Sequence, residues 1–430
     1  MKQTTVKVND FLTLTHIKTD KFKKGFLKIA LVTKGAPEET PTNSLILPVA
    51  FRGTAKYGDF RTLCRRAEEL YAAEISDFNN RIGDDETIGL RASFLNDEYI
   101  LQKDRENGVS ILCGVIEVAA DLLLHPLMRD GDVEIEKKNQ IKRIESRKND
   151  SFGYGKYRFN SIMSQDEPWH GKTLLGEVPD VEKITSETLK KRYSDLINGS
   201  EMNIFYCGSA KLSEIETLVR EYFGNYGKNV KMRPDMFLKR RADKPKEVIE
   251  SGKYRQGNLF IGFRTGVNVV DSDYAAMEVL NNIYGDGMSS KLFLNVREKK
   301  SLCYFCSSSY DEVKGIISVS CGIENSDFYE ARDEILAQLE EIVKGNVTDT
   351  EMNDARSALV GECDEADDHP EDYETFGFAA RRFGGPATID EYRAAIEKVT
   401  KEEVIAAAKK ITLDTVYFLK GELDGGCDEE

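Results

Sequence analysis

Apolar positions in this chain recur with two periods, and the order of those periods repeats. Residues 88–99, IGLRASFLNDEY, alternate as a half-buried strand does and end in Asn and an acidic turn. Residues 316–328, IISVSCGIENSDF, do the same. Each run leads into a long amphipathic stretch (106–125 and 328–344) and then into a further helical one (132–148 and 348–363). Downstream, VEKITSETLKKRY (181–193) and IEKVTKEEVIAAA (396–408) open alike: aliphatic, Glu-Lys, aliphatic, then Thr as a helix cap with Glu within the next three positions. That is a capping-box pattern, and each helix leads to a short apolar strand, MNIFYCG at 202–208 and DTVYFLKG at 414–421.

The repeat predicts an α+β chain of two homologous domains, each a mostly antiparallel sheet packed with helices and about 200 residues long. Between the copies, KNVKMRPDMFLKRRADKPKE (228–247) carries two prolines and many charges and reads as a linker. The domains are therefore expected at 1–227 and 248–430.

One apolar segment breaks its own pattern. NSLILPVAFRGT (43–54) is apolar on nearly every side, and Thr42 or Asn43 could cap a helix there. Pro48 sits in its middle, where it removes a backbone donor and crowds the preceding turn.

Composition narrows the function classes. The chain has 430 residues, too many for one ordinary core, with 60 basic against 75 acidic residues and a net charge of −15. That sign argues against nucleic-acid binding. No apolar run approaches the ~20 residues that cross a bilayer, and MKQTTVKVND lacks the apolar core of an export signal. Eight scattered cysteines in a large chain fit reduced thiols, so the expected compartment is the cytoplasm.

The chemistry-bearing residues are sparse. Of the four histidines (His16, His125, His170 and His369), no two stand three or four apart, so no helix offers paired imidazoles for zinc. His16 continues the Leu12, Leu14 face of a strand, and His125 precedes Pro126 at a helix end. His170 adjoins the sole tryptophan, Trp169, as a loop anchor, and His369 lies in an acidic turn, DEADDHPED. In CYFC (303–306) a strand would point the two thiols to opposite faces, so they read as separate buried cysteines. GDGMSSK (285–291) lacks the spacing of a phosphate loop and reads as a tight turn between helices. Beyond it, a polar helix end bearing Arg297 turns directly into a strand bearing Tyr304, two donors able to reach one ligand carbonyl or carboxylate.

The stretch GDGMSSKLFLNVREKKSLCYFCSSSY (285–310) resembles a signature of the pitrilysin or insulinase-type zinc peptidases, the inverzincins. Their second homologous domain has a glycine-rich helix turn, S-S-x-L-F, then R-E-x-x-x-L-x-Y. The matching residues are Gly285, Gly287, Ser289, Ser290, Leu292, Phe293, Arg297, Glu298, Leu302 and Tyr304. The resemblance implies a half clamshell like that of mitochondrial processing peptidase, with Arg297 and Tyr304 binding substrate backbone near the scissile bond. It also implies an H-x-x-E-H zinc motif just before a Gly-Thr in the first half. Counted back from Gly53-Thr54, those positions hold Ser44, Leu47 and Pro48, so neither ligand nor general base is present. The family's third ligand is a glutamate on a later helix; Glu134 and Glu136 lie in about the right place and read as helix-surface acids.

Short bacterial members of the family work as dimers, some of them mixed. The resemblance therefore implies a non-catalytic subunit of a heterodimeric zinc metallopeptidase. It would bind no zinc and have no catalytic residue of its own, and would work beside a homologous H-x-x-E-H-bearing subunit on a peptide substrate. A homodimer is the form open to it without that partner, and no membrane or nucleic-acid partner is expected. The alternative is a peptide-binding or structural core protein with no part in proteolysis.

Overall fold

The computed structural model describes residues 1–167, 171–227 and 236–422. Contacts divide the chain into two units. One is Met1–Ser146, Lys172–Met236 and His369–Glu374; the other is Arg147–Gly171, Phe237–Asp368 and Thr375–Glu430. Trp169, His170, Cys427 and the 228–235 part of the linker lie outside the described residues.

The N-terminal unit holds a sheet of β1 (Gln3–Lys7), β2 (Leu12–Lys18), β3 (Lys24–Lys34), β4 (Glu74–Ile82), β5 (Asp85–Leu95) and β6 (Glu201–Gly208), in the order β1-β2-β6-β3-β5-β4. The C-terminal unit holds β7 (Lys246–Gly252), β8 (Gly257–Arg264), β9 (Cys303–Asp311), β10 (Ile316–Ile323) and β11 (Thr412–Gly421), ordered β7-β11-β8-β10-β9. With β1 set aside, the two orders superpose strand for strand. Both have one parallel pair, β2 with β6 and β7 with β11, and antiparallel pairing elsewhere. The α+β class and the duplication read from the hydropathy pattern are thus present in the topology itself.

The repeated caps are real, with one difference. Thr400 and Glu403 close a capping box as expected, whereas Thr185 pairs with Thr188 rather than with Glu187. Glu187 sits at the second helical position, one short of the residue that can reach back to the cap.

Four helices matter most for the candidate site: α1 (Thr40–Ala50), α2 (Asp130–Ser146), α3 (Ser151–Met163) and α4 (Tyr274–Tyr284). Helix α3 precedes the linker in sequence yet belongs to the C-terminal unit. Its Phe159 and Met163 pack on Phe260, Tyr417 and Leu419 of the C-terminal sheet. A Cβ on Gly155 would come within 2.7 Å of the Phe260 ring, so the helix can lie this close only with glycine there. Buried ion pairs anchor the chain just beyond it. Glu167 lies 2.7 Å from Arg264 and 2.9 Å from Lys314, and Arg264 Nε donates to Asp414 at 2.9 Å. The stretch His369–Glu374 belongs conversely to the N-terminal unit, where Glu374 accepts from Lys28 on β3 at 2.6 Å.

Candidate functional site

Helix α1 begins earlier than its sequence suggests. Glu39 is the cap residue, without a side-chain cap bond, and Pro41 stands in the first turn, where a missing donor costs nothing. Asn43, a cap candidate by sequence, is instead buried inside the helix. Its amide donates to Glu86 at 2.8 Å and its oxygen accepts from Arg192 at 2.7 Å. Pro48 is inside the helix. An interior proline costs ~3 kcal/mol, but Leu45, Ile46, Leu47 and Val49 are all at most 3% exposed. Four such side chains contribute on the order of 6–12 kcal/mol on burial, so packing decides the outcome.

The three positions of the zinc motif are integrated into this packing. Ser44 Oγ donates to the Leu174 carbonyl at 2.8 Å and accepts from Asn79 at 2.9 Å. Leu47 is core, and Pro48 has no donor atom to offer a metal. On the neighbouring α2, Glu136 is buried and tied to Arg52, whose Nε donates at 2.6 Å, while Glu134 is mostly exposed and pairs with Lys137. Glu136 is thus a buried ion-pair partner, not the surface acid expected. The α2 side chain that reaches the start of α1 is an amide: Gln140 donates to the carbonyls of Pro41 and Leu175 at 3.0 and 2.7 Å. A hydroxyl, a leucine and a proline facing an amide and a neutralised carboxylate do not fit a zinc ion.

The C-terminal counterpart is built differently. Gly285 ends α4 and accepts from the Ser308 amide of β9 at 2.9 Å. A Cβ there would stand 2.7 Å from Leu292 and 2.8 Å from the Ser308 nitrogen. The following segment, Leu292–Lys299, is a π-helix, a form concentrated at functional sites. It is pinned at both ends: Lys291 pairs with Glu351 at 2.7 Å, and Lys300 with Glu334 at 2.8 Å. Ser301 takes a left-handed φ of 54°, and its amide returns to the Arg297 carbonyl at 3.0 Å while that of Leu302 returns to Val296. The helix therefore stops abruptly and β9 starts at Cys303.

β9 is an edge strand with one extra residue. Its register against β10 pairs Cys306 with Cys321 and Phe305 with Gly322, but Cys303 with Ile323. Tyr304 is the inserted residue, and a bulge of this kind re-aims its side chain. Tyr304 is 64% exposed and its hydroxyl donates to Glu324 at 2.9 Å, which holds the phenol protonated above its ordinary range. Arg297 is likewise solvent-facing. Its guanidinium lies over the Phe293 ring at 4.8 Å, and its closest acid, Glu298, is 3.6 Å away. Exposed apolar side chains accompany the pair: Met288 at 80%, Leu294 at 46% and Phe305 at 36%. Arg297 and Tyr304 thus sit on two consecutive, mutually packed elements as two donors with little structural occupation.

The bulge overturns one sequence reading. An inserted residue reverses the alternation, so Cys303 and Cys306 face the same way, and the sulfurs of Cys303, Cys306 and Cys321 lie within 4.8 Å of one another. The S–H groups of Cys306 and Cys321 donate to Cys303 and, with Arg297 adding positive potential, hold it well below the usual thiol range; the other two are pushed up. Cys321 escaped notice as a partner. Counting the hairpin register outward from the Asp311–Ile316 pair would have found it opposite Cys306.

Residues 183–359 match the family model described as the peptidase M16 inactive domain. Over 416 residues the chain is 29% identical to the probable inactive metalloprotease YmfF of Bacillus subtilis (strain 168), covering 95% of this chain and 96% of that protein. Residues 183–359 thus carry an M16-type domain, and the chain as a whole is similar to an M16-type protein. Both matches agree with the resemblance to the inverzincins: the matched domain is described as inactive M16, and the relative as a probable inactive metalloprotease. Solved structures share the fold. A conserved protein from Enterococcus faecalis V583 superposes with a TM-score of 0.88 at 22% identity, over 99% of this chain and 100% of that one. The peptidase M16 inactive domain from Pseudomonas fluorescens gives 0.78 at 14%, over 99% and 100%.

The remaining polar candidates are structural. His16 is buried, stacks on Tyr206 with ring centroids 5.6 Å apart and bonds the Ala210 carbonyl at 2.9 Å. His125 is the exposed residue ending a helix, and His369 is exposed at a turn. A cavity of about 700 Å³ in the N-terminal unit is lined by residues such as Asn96, Cys113, Tyr206 and Glu214, and by none of the M16 motif positions. Among the described residues no helix is long and apolar enough to cross a membrane.

Proposed function

We propose that this chain is the non-catalytic subunit of a heterodimeric zinc metallopeptidase. The observation that carries the reading is the contrast between the halves. The zinc-motif positions of α1 are filled with core and backbone-bonding groups, while Arg297 and Tyr304 project from rigidly held backbone with no structural task that needs them exposed. The partner is a homologous subunit bearing H-x-x-E-H; it supplies the zinc and the general base, and this chain supplies neither. The Arg297 guanidinium and the Tyr304 hydroxyl donate to a backbone carbonyl of the bound peptide. Donors aimed at an oxygen that gains negative charge stabilise that charge more than the neutral carbonyl. The free thiols among the described residues suit a reducing compartment, and we assign the complex to the cytoplasm.

The test is peptide cleavage by the chain alone with zinc, then by the chain with a co-expressed H-x-x-E-H partner. The chain alone is expected to be inactive and the pair active. Arg297→Ala with Tyr304→Phe should lower kcat of the pair on the order of 10²–10³-fold, the usual loss for removed oxyanion donors. Activity in the isolated chain, or an unchanged pair, overturns the reading. Peptide capture without any such partner would instead mark a peptide-binding protein with no part in proteolysis.

A further inference from the structure

We propose that Cys303, Cys306 and Cys321 form a metal site for a soft d10 cation, Zn²⁺ or Cu⁺, built into the bulge that carries Tyr304. This site is separate from the vacated hydrolytic position on α1, which has no sulfur ligand. Its three Sγ atoms already lie within 4.8 Å of one another. Bound to one ion at a Zn–S distance of ~2.3 Å, they would stand about 3.8 Å apart, so ligation asks only for a contraction of an ångström or less. Thiolate sulfur selects such soft ions over hard ones.

Several features distinguish this cluster from three cysteines that merely fill space. A regular strand would keep Cys303 and Cys306 on opposite faces; only the insertion of Tyr304 brings them to one side. Cys306 and Cys321 are 4% and 1% exposed, whereas Cys303 is partly open, so an ion has a way in and two ligands held by the core. Among the described residues no His, Asp, Glu or further Cys joins the group. The site therefore has three protein ligands. That suits trigonal Cu⁺, or Zn²⁺ completed by a solvent molecule. All three cysteines bind as thiolates, so binding releases the protons that the metal-free thiols carry. The Zn²⁺ form then carries a local charge of −1, beside Arg297.

The placement has a consequence for the M16 motif. Cys303 and Cys306 flank Tyr304, so a metal bridge would tie both strand segments beside the tyrosine and fix the bulge.

The test uses the full chain, reduced and metal-free, titrated with Zn²⁺ against a chromophoric chelator. A parallel anaerobic titration uses Cu⁺, and Co²⁺ serves as the spectroscopic probe. One equivalent of Zn²⁺ or Cu⁺ should survive desalting, Co²⁺ should give a thiolate charge-transfer band, and three thiols should become protected from alkylation. Cys303→Ser, at the partly open ligand, should weaken binding at least tenfold while leaving the circular dichroism unchanged. Combined Cys64→Ser, Cys113→Ser and Cys427→Ser should leave binding intact. Absence of stoichiometric binding for both ions, or binding indifferent to Cys303→Ser, overturns the proposal. So does a mass loss of two hydrogens on mild oxidation in a protein that retains no metal, which would make the cluster a disulfide pair.

Discussion

Replacing Glu167 by Gln tests how the segment that precedes the linker is held to the C-terminal sheet. The substitution keeps the side chain's shape and removes one negative charge. In the native unit two cations, Arg264 and Lys314, face two anions, Glu167 and Asp414, and all four side chains are at most 2% exposed. Glu167 touches both cations, at 2.7 and 2.9 Å. At an effective dielectric near 20, each such contact is worth about 6 kcal/mol of gross attraction. Part of that is offset because the glutamine no longer bears the cost of desolvating a carboxylate. What remains is a net positive charge among these four buried side chains, a defect of about 3–5 kcal/mol. Lys314 also donates to the Phe237 carbonyl at 2.6 Å.

The assay is urea unfolding followed by circular dichroism, with each transition fitted separately because the chain has two units. Glu167→Gln should lower the midpoint of one transition and leave the other in place. Adding Lys314→Met restores the charge balance, with Arg264 still facing Asp414, and should recover at least about 2 kcal/mol. A loss under about 1 kcal/mol in the single variant refutes the reasoning. So does a double variant in which the two losses simply add.

Three further outcomes follow from the geometry. Glu278, on α4, has its pKa raised from 4.5 to about 8 by burial, with the nearby Glu312 carboxylate adding to the effect; the unfolded chain therefore loses this proton first, and stability falls as pH rises from 4.5 through 8, by at most about 5 kcal/mol. Glu278→Gln should raise Tm at pH 8.5, roughly above the folded pKa, and change little near pH 4, a pattern that differential scanning calorimetry at the two pH values checks. Gly285→Ala should cost about 1–3 kcal/mol, because the new methyl meets Leu292 and the Ser308 backbone; an unchanged Tm would refute the close approach. Rebuilding the zinc motif as Ser44→His, Leu47→Glu and Pro48→His should yield neither retained zinc nor peptide cleavage, as measured by metal analysis and a peptidase assay, because α2 presents Gln140 and an Arg52-bound Glu136.

The parts of this fold legible in sequence were those whose period comes from a single burial direction. Strand β10 and the helix Phe328–Val343 fall where the alternation and the amphipathic stretch put them. Elements whose position depends on a distant surface were not legible. Helix α3 has no sequence mark of its allegiance to the C-terminal sheet; the deciding contacts, Phe159 and Met163 on Phe260, span about a hundred residues. The bulge at Tyr304 was equally hidden, because a one-residue insertion leaves composition and spacing untouched while reversing every face before it. That reversal explains why CYFC read as two unrelated thiols. At α1 the sequence revealed the missing ligands, but not that Ser44 had been recruited to hold Leu174 and Asn79, nor that Glu136 had been neutralised.

These details bear on why the two halves, built on one topology, differ in chemistry. In α1 each altered position has acquired a structural role: a hydroxyl bonding backbone, a core leucine, and a proline whose cost is covered by its apolar neighbours. Restoring ligands at those three positions alone is expected to give no zinc site, since the groups opposite are Gln140 and an Arg52-bound Glu136. In the C-terminal half the dependence runs the other way. The π-helix, the left-handed Ser301, the glycine turn and the bulge are each costly or uncommon backbone choices, and all of them lie in the segment that carries Arg297 and Tyr304. Tyr304 bonds only Glu324 among the described contacts, and Arg297 rests on Phe293 at the surface. Packing and backbone bonding account for the three α1 positions. For Arg297 and Tyr304, exposed on their two elements, the proposed peptide ligand supplies the partner.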